Sequence, residues 1–308
     1  MDDAPATRRP GSAAPVRVVS ARPSLRARLR NLAERRELLT GMITSDIRIK
    51  YKGSALGIFW SMLSPALTLA TYYLVFSVFL KNGIPNFVVY LFAGLVVWNL
   101  FQGGVSSSTG VIVDRAGLVK KVSFPREILA LSNIGAAVIY FLIQLGVLAV
   151  FLLIIGHAPA WGFVAVLPLA FLALYFLTAA VGIVMSAVTV YLRDVRHLMD
   201  VVLQLWFWLS PVVYSYENSI AAPLRRHGLT ALYFLNPVTP IIITFQRAFY
   251  AAPVVRSTTT GLALHVLPSW SLGEFVVINA GLAVGSFILF LLALVVFGRL
   301  EGNFESEL

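Results

Sequence analysis

The sequence contains no cysteine and little charge. Of its 308 residues, 12% are Asp, Glu, Lys or Arg and 58% are hydrophobic. Without cysteine, neither a disulfide framework nor a thiolate metal site is possible. The histidines show no HExxH or comparable spacing, so they give no sign of a metal centre. A soluble domain is usually about 45–50% apolar and about 25% charged. This composition therefore indicates a helical bundle in a lipid bilayer.

Two further absences limit the source of energy. No ionisable residue stands in the middle of an apolar stretch, and no GxxxxGK[ST] motif occurs. Ion-driven carriers need ionisable groups at membrane depth, and a Walker-type phosphate loop needs that motif. The lack of paired intramembrane carboxylates and of a Ser/His/Asp cluster argues against a hydrolase or a metal-dependent transferase. A transporter built on this chain therefore needs an energy source on a partner.

Six apolar segments approach the roughly 20 residues that cross a bilayer core. They lie near residues 56–80, 87–109, 128–156, 162–191, 199–215 and 274–298, and the fifth is short and ends at a proline. The run 229–252 is divided by Pro237 and Pro240 and contains Arg247, which predicts a pair of short re-entrant or interfacial helices. We predict an all-α integral membrane protein whose six transmembrane helices occupy residues 55–308.

Lys and Arg are distributed unevenly across this predicted bilayer. The side opposite the termini carries only Lys81, Arg225, Arg226, Arg247 and Arg256 of the 24 basic residues. Positively charged loops stay in the cytoplasm. A multi-pass protein of the inner or plasma membrane with both termini cytoplasmic is therefore predicted. The net charge of +10 does not indicate nucleic-acid binding, because the basic residues form no aromatic-interleaved groove.

The N-terminal region divides into two parts. Residues 1–30 are rich in Arg, Pro and Ala and lack the apolar run of a signal peptide, so a disordered cytoplasmic tail is expected. From 31 to 54 apolar residues recur at helical spacing, which predicts an amphipathic helix in the headgroup plane. Arg48, Lys50 and Lys52 would stand at the membrane surface. Such side chains suit a phosphate group, although simple anchoring explains them equally well.

The stretch DRAGLVKKVSFPRE, residues 114–127, places six charges between two apolar segments. It predicts a short cytoplasmic helix over 113–122, with Asp114 near the positive N-terminus and Lys120 and Lys121 near the negative C-terminus. Its apolar side chains would form a ridge for the groove of a soluble partner, with the charges fixing the register. A solvated, positive-inside loop is the alternative interpretation.

Three stretches resemble the permease family of the ABC exporters that carry polysaccharides such as O-antigen, capsule and teichoic acid. They are DIRIKYKGSALGIFWSMLSPAL (46–67), GLVKKVSFPREILAL (117–131), and the pair WLSPVVYS and LNPVTPIIITFQRAFY (208–215 and 235–250). Their order, spacing and six-span plan are similar to the family from about residue 32 onward. The Arg-rich N-terminal tail alone lies outside the resemblance.

The resemblance implies a homodimer in which each copy contacts one of two ATP-binding subunits through a coupling helix at 114–122. The ATPase-coupling residues would be Asp114, Arg115, Leu118, Val119, Lys120 and Lys121. No cofactor is expected in this chain and the chain itself is not an enzyme, because ATP and Mg²⁺ would bind the partner. The implied cargo is a polyprenyl-diphosphate-linked glycan of the O-antigen, teichoic acid or cell-wall galactan type, with Arg48, Lys50 and Lys52 at its lipid diphosphate.

The resemblance also places a channel at the dimer interface, built mainly by the first and fifth spans and gated externally by 217–250. Aromatic rings offer faces on which sugars slide, and these spans carry Tyr72, Tyr73, Trp206, Trp208, Tyr214 and Tyr216. Because Tyr and Trp also concentrate at membrane boundaries, an interfacial or core role is the alternative for each. Two other functions stay open: a permease for a lipid, drug or peptide, and a non-transporting scaffold or glycan-modifying enzyme.

Overall fold

A computed structural model of the protein describes residues 24–53 and 59–308. The helices are α1 (Leu25–Glu34), α2 (Arg36–Tyr51), α3 (Phe59–Tyr73), α4 (Phe87–Thr109), α5 (Val111–Asp114), α6 (Ala116–Lys121), α7 (Glu127–Ile154), α8 (Trp161–Val164), α9 (Leu167–Tyr191), α10 (Val195–Trp208), α11 (Ala221–Arg226), α12 (Thr230–Phe234), α13 (Val238–Phe249), α14 (Leu272–Leu300) and α15 (Phe304–Glu307). α3 continues as a π-helical turn over Leu74–Phe79, and a second π-helical turn covers Tyr216–Ile220.

Helical structure begins earlier than the sequence predicts. Ser24 caps α1 by accepting a hydrogen bond from the main-chain N–H of Ala27 at 3.3 Å. Leu25 and Leu29 on α1 pack against one of the two apolar clusters of the bundle. The expected tail over 1–30 is therefore wrong for residues 24–30, because an N-cap and apolar packing order them. Residues 1–23 lie outside the described part of the chain. α1 and α2 together take the place of the single helix predicted over 31–54.

Five of the described helical segments are long and apolar enough to cross a membrane: Met62–Phe79, Phe87–Thr109, Glu127–Ile154, Trp161–Tyr191 and Leu272–Asn303. The remaining predicted span, 199–215, is occupied by α10 and the turns that follow it. α10 has 14 residues and is about 21 Å long at about 1.5 Å per residue, which is short of a bilayer core. Five of the six predicted spans therefore correspond to described helices of sufficient length, and the span predicted over 199–215 does not.

α4 lies at the centre of the bundle. Of its span, 78% is buried within the chain, whereas none of the span that contains α3 is buried. α4 packs against α7, α9 and α13. The approach to α9 requires Gly104, since a Cβ there would lie 2.5 Å from Cγ2 of Thr178. Packed helices therefore surround α4, whereas no described residue of the α3 span is fully buried, although Leu69, Tyr72 and Phe76 pack against the core on one side.

α9 and α14 run side by side in the same direction. Near their beginnings the rings of Phe163 and Phe275 meet edge to face, with centroids 5.2 Å apart. Near their ends the hydroxyl of Tyr191 donates a hydrogen bond to the main-chain oxygen of Leu300 at 2.5 Å. The two helices are thus in register over their whole length.

The chain breaks its helical course after α10, and side chains satisfy the freed main-chain groups. The carbonyl oxygen of Pro211 accepts a hydrogen bond from Nε2 of Gln246 at 2.8 Å, and that of Tyr214 accepts one from the Tyr90 hydroxyl at 2.8 Å. In the same region, Nε1–H of Trp206 donates a hydrogen bond to Oδ1 of Asn236 at 2.8 Å. Such satisfaction is what a break at membrane depth requires.

The pair of short helices predicted over 229–252 corresponds to α12 and α13, and α13 is almost wholly buried against α4 and α9. The π-helical turn at 216–220 and the short helix α11 precede them. A two-stranded antiparallel hairpin, β1 (Val254–Arg256) with β2 (Ala263–His265), follows. The expected all-α architecture is therefore wrong at this hairpin, whose short polar turn sits between two extended segments.

Candidate functional site

The predicted coupling helix over 113–122 is two helices, α5 and α6, separated at Arg115. Asp114 ends α5 rather than capping a helix, and its carboxylate is ion-paired with Arg196 from the start of α10. Gly110 makes this possible, because a Cβ there would occupy the position of the Arg196 guanidinium. Arg115 is ion-paired with Asp46 of α2. The two ion pairs brace the loop from both sides, against α10 and against α2.

The surface that α6 offers is basic at its end. Lys120 and Lys121 are exposed, Leu118 is half-buried, and Val122 just beyond the helix is 51% exposed. Val119, by contrast, is buried at 3% and belongs to the apolar cluster of the bundle. The expectation that Val119 contacts a partner is wrong, because the break at Arg115 turns this side chain toward the chain's own core.

A second charged cluster lies at the base of the same loop, and the sequence interpretation missed it. Arg28 is ion-paired with Glu127, the Glu of the FPRE segment, and donates to Glu301 at 2.9 Å. Glu301 also lies 4.0 Å from Arg126, whose guanidinium stands over the ring of Phe304. We call Arg28, Arg126, Glu127 and Glu301 the basal cluster. It ties α1, the start of α7 and the end of α14 together.

Burial decides the character of the basal cluster. The side chains of Arg28 and Glu127 are 8% and 2% exposed. Burial by itself lowers the pKa of Arg28, but attraction to Glu127 and the bond to Glu301 outweigh it, so the pKa lies above its ordinary value. One signal for Arg28 was present in the sequence: it stands between Leu25, Leu29 and Leu32 on the apolar side of α1.

The three basic residues predicted at the lipid diphosphate separate into two sites. Arg48 and Lys52 line a groove of about 860 Å³ along α2, together with hydroxyl groups of Thr40, Thr44 and Ser45. Lys50 points away from this groove, and its Nζ lies 4.6 Å from the ring centroid of Tyr140 on α7. The structure thus brings Arg48 and Lys52 together and places Lys50 in a different cavity.

The predicted channel aromatics also divide. Tyr72 stacks on Phe207 of α10 with centroids 5.5 Å apart and meets Trp208 edge-on at 6.5 Å. Tyr73 and Trp208 are 39% and 46% exposed. α3 and α10 therefore share an aromatic surface that is open to the outside of this chain.

The other three predicted channel residues, Trp206, Tyr214 and Tyr216, are more buried than Tyr73 and Trp208. Trp206 donates to Asn236, and the Tyr214 hydroxyl lies 3.3 Å from that of Tyr233. Tyr216 is 3% exposed and stacks on Tyr233 with centroids 5.3 Å apart. Burial raises the pKa of the Tyr216 and Tyr233 phenols, so both stay neutral. The expectation that Tyr216 faces a channel is wrong for this arrangement, since α12 covers its ring.

The described residues contain no group of three or more His, Asp or Glu side chains that could hold a metal ion. Five described helices of membrane-spanning length define a multi-pass helical membrane protein, and the basic loop of α5 and α6 lies between two of them. A family model, ABC-2 type transporter, matches residues 37–250, and the chain belongs to this family.

Curated relatives agree with the family. An O-antigen export system permease protein of Myxococcus xanthus is 32% identical over 222 residues, which cover 72% of this chain and 84% of the relative. Two proteins of the same description from Klebsiella pneumoniae are 28% and 26% identical over 219 residues, covering 71% of this chain and 82% of each relative. The similarity therefore extends over most of both chains.

Proposed function

We propose that this chain is the transmembrane subunit of an ATP-driven exporter that moves a polyprenyl-diphosphate-linked polysaccharide out of the cytoplasm. The observation that carries the proposal is the braced basic loop of α5 and α6, considered together with relatives described as O-antigen export permeases. The loop projects exposed lysines while its own residues are fixed to α2 and α10. Such a rigid, charged projection is suited to receiving force from a soluble ATP-binding subunit that carries ATP and Mg²⁺.

The proposal includes a homodimer with a channel between the copies. α3 is unburied within its own chain, and its Tyr72 and Tyr73 continue into the exposed ring of Trp208 on α10. A second copy that faces this surface would enclose a path walled by aromatic rings, on which a glycan slides without strong hydrogen bonding. The short helices over 217–250 would border the external end of that path.

The cargo's lipid diphosphate is proposed to arrive at the groove of Arg48 and Lys52. Both side chains are exposed at the end of α2 and are cationic donors to phosphate oxygens, whereas the hydroxyl groups of Thr40 and Thr44 beside them donate to main-chain oxygens of α2. In the proposed orientation, α2 lies at the cytoplasmic surface and both termini are cytoplasmic, in keeping with the bias of basic residues. α10 with residues 209–215 is assigned as the sixth crossing.

The test of the docking surface is charge reversal at Lys120 and Lys121. Each reversed charge would then face a like charge on the ATP-binding subunit. This repulsion should reduce copurification of that subunit by roughly tenfold and stop polysaccharide export. Lys81→Glu, an exposed reversal on the opposite side of the molecule, is the matched control and should leave both unchanged. Full export and normal copurification in the double reversal would overturn the docking role of α6.

Val119→Ala separates docking from folding in the same assay. It removes two buried carbon groups at about 0.8 kcal/mol each, so we expect a loss of stability of about 1.5 kcal/mol. The amount of ATP-binding subunit bound per folded molecule should not change, because Val119 faces inward. If cells with the Lys120 and Lys121 variant accumulate lipid-linked glycan in the cytoplasm, that glycan is the cargo. If they accumulate a different compound instead, the proposed cargo is wrong and that compound takes its place.

A further inference from the structure

The exposed side of α10 changes from polar to aromatic along its length. His197, Asp200 and Gln204 are exposed in its first three turns, and Trp208 is exposed at its end. We propose that Asp200 sorts polymers by charge, so that the chain exports neutral glycans and excludes polymers that carry a negative charge in each repeat. This inference rests on the proposed function, because it concerns the path to which the surface of α3 and α10 is assigned.

Asp200 and Gln204 lie beside the membrane-spanning part of α4. The hydroxyl of Ser106 donates to Oδ1 of Asp200 at 3.4 Å, and Ser106 is about 4.5 Å from the end of α4 that leads into α5. The ring of Trp206 meets that of Phe101 with centroids 5.0 Å apart, about 12 Å from the same end. Gln204 lies between these two levels along α10. Both side chains are therefore inside the height of the α4 span.

A carboxylate and an amide exposed at this depth indicate contact with water. Polar groups within a membrane are costly against acyl chains and face protein or a water-filled cavity. The ring contacts between α3 and α10 lie at Phe207 and Trp208, beyond the polar part of α10, and they leave Asp200 and Gln204 exposed. In the proposed orientation, the polar part of α10 lines a wet cytoplasmic half of the path, and its aromatic end follows.

Asp200 gives this surface an uncompensated negative charge. The sequences of α3 and α4 contain no Asp, Glu, Lys or Arg. On α10, Arg196 is paired with Asp114 of the loop before α6. Asp200 forms no ion pair within the described part of the chain, and the Ser106 hydroxyl is its polar contact there. A polymer that follows α10 from the coupling loop to Trp208 therefore passes one unpaired carboxylate.

This carboxylate distinguishes classes of polymer. A second copy that faces the same surface would bring a second Asp200 to the path, and rings of one charge in a pore select ions of the opposite charge. A polymer with a phosphodiester in each repeat, such as a teichoic acid, would meet the repulsion at every repeat. The lipid diphosphate presents its charge once, at the groove of Arg48 and Lys52. Sugar hydroxyls both donate and accept, so they suit the carboxylate and the amide of Gln204.

Cysteine labelling measures whether this surface is wet without requiring transport. The chain has no cysteine, so Gln204→Cys introduces a single thiol into the full chain. In native membranes this thiol should react with water-soluble methanethiosulfonates. Leu292→Cys is the matched control, because Leu292 is 54% exposed on α14 and lies about 12 Å from the end of that helix. It should not react, since its surroundings are acyl chains.

The charge of the reagent then measures the local potential. A trimethylammonium-ethyl reagent and a sulfonatoethyl reagent are similar in size and opposite in charge. Adding Asp200→Asn to Gln204→Cys should lower the ratio of their rates by roughly tenfold, because the carboxylate is about 6 Å from the thiol along the helix. Asp194→Asn should leave the ratio unchanged, because Asp194 is about 15 Å away and salt screens charges beyond about 8 Å. Absence of reaction at Gln204→Cys, or a ratio that Asp200→Asn does not change, would overturn the proposal.

Export of two matched polymers measures the sorting itself. Cells without their own exporter would contain the full chain with its ATP-binding subunit. They would make either a neutral lipid-linked glycan or the same backbone with a phosphodiester in each repeat. The wild type should place roughly tenfold more of the neutral polymer on the surface. Asp200→Asn should bring the ratio of neutral to anionic polymer close to one, whereas Asp194→Asn should preserve it.

The outcomes separate this inference from the proposed function. Equal export of both polymers by the wild type, or an unchanged ratio in Asp200→Asn, would overturn the sorting by Asp200 and leave the exporter in place. Export of neither polymer by the wild type would overturn the proposed exporter and this inference with it.

Discussion

The basal cluster makes one strong prediction about stability. Replacing Arg28 by Met keeps most of the side-chain volume but leaves Glu127 buried without its cation and close to Glu301. Removing one partner of a buried ion pair costs about 3–5 kcal/mol, because the other charge stays desolvated. A shift of about 2–4 °C per kcal/mol, as found for chains of 150–250 residues, gives an expected fall in melting temperature of about 10 °C.

The matched control lies two residues along the same helix. Arg30 is ion-paired with Glu34 at 2.7 Å, but these side chains are 80% and 56% exposed. An exposed pair of this spacing contributes only about 0.3–0.5 kcal/mol. Arg30→Met should therefore melt within about 2 °C of the wild type. The two substitutions are chemically identical, but Arg28 is buried and paired with two carboxylates of other elements, whereas Arg30 is exposed and paired with one carboxylate of its own helix.

The measurement is thermal unfolding of the purified protein in detergent, followed by intrinsic fluorescence. Adding Glu127→Leu to Arg28→Met should restore most of the lost stability, since replacing both partners by apolar groups is often close to neutral. If Arg28→Met melts no lower than Arg30→Met, or if the double variant is less stable than the single one, the account of the cluster as a buried ion pair is refuted.

Two further outcomes follow from the contacts of α2. The double variant Arg48→Glu with Lys52→Glu should stop export while the ATP-binding subunit still copurifies. Arg36→Glu, on the same helix but outside the groove, is the control and should export normally. Unimpaired export in the double variant would contradict the diphosphate site. Gly135→Ala places a methyl group against an isoleucine of α2 and should cost about 1–3 kcal/mol. Gly146→Ala on the same helix meets nothing and should gain about 0.5–1 kcal/mol, so equal melting temperatures of the two would contradict the packing of α2 on α7.

The long helices were predictable because length and hydropathy are properties of consecutive residues. The predicted spans 87–109, 128–156 and 162–191 correspond closely to Phe87–Thr109, Glu127–Ile154 and Trp161–Tyr191. The structure agrees because a continuous apolar run of that length is stable only when its main chain is helical. Over 229–252 the prolines predicted two short helices, and α12 and α13 lie there. The π-helical turn at 216–220, α11 and the β1–β2 hairpin are too short for periodicity to define.

The basal cluster was not predictable from local pattern. Arg28 and Glu127 are separated by 99 residues and Arg28 and Glu301 by 273, so their meeting depends on the tertiary fold. The inward direction of Val119 was likewise hidden, because it follows from the break between α5 and α6.

The separation of Lys50 from Arg48 and Lys52 had a signal that was not used. Residues two apart on a helix point to opposite faces, whereas those four apart share one. Arg48 and Lys52 are four apart and share a groove. Lys50 is two residues from each of them and faces α7 instead. Grouping the three by proximity in sequence gave a site that the helical period forbids.

The parallel register of α9 and α14 has a consequence for how many times the chain passes through the bundle. The span 161–191 and α14 begin at one level and end at the other. A chain that leaves α9 at its last residue can enter α14 at its first only after travelling back along the full length of the pair. Residues 192–271 must therefore return along that length, and a return through α10 and 209–215 is the sixth crossing that we propose. An even number of crossings is what that proposal expects, and the bond between Arg28 and Glu301, which joins the two ends of the described chain, supports it.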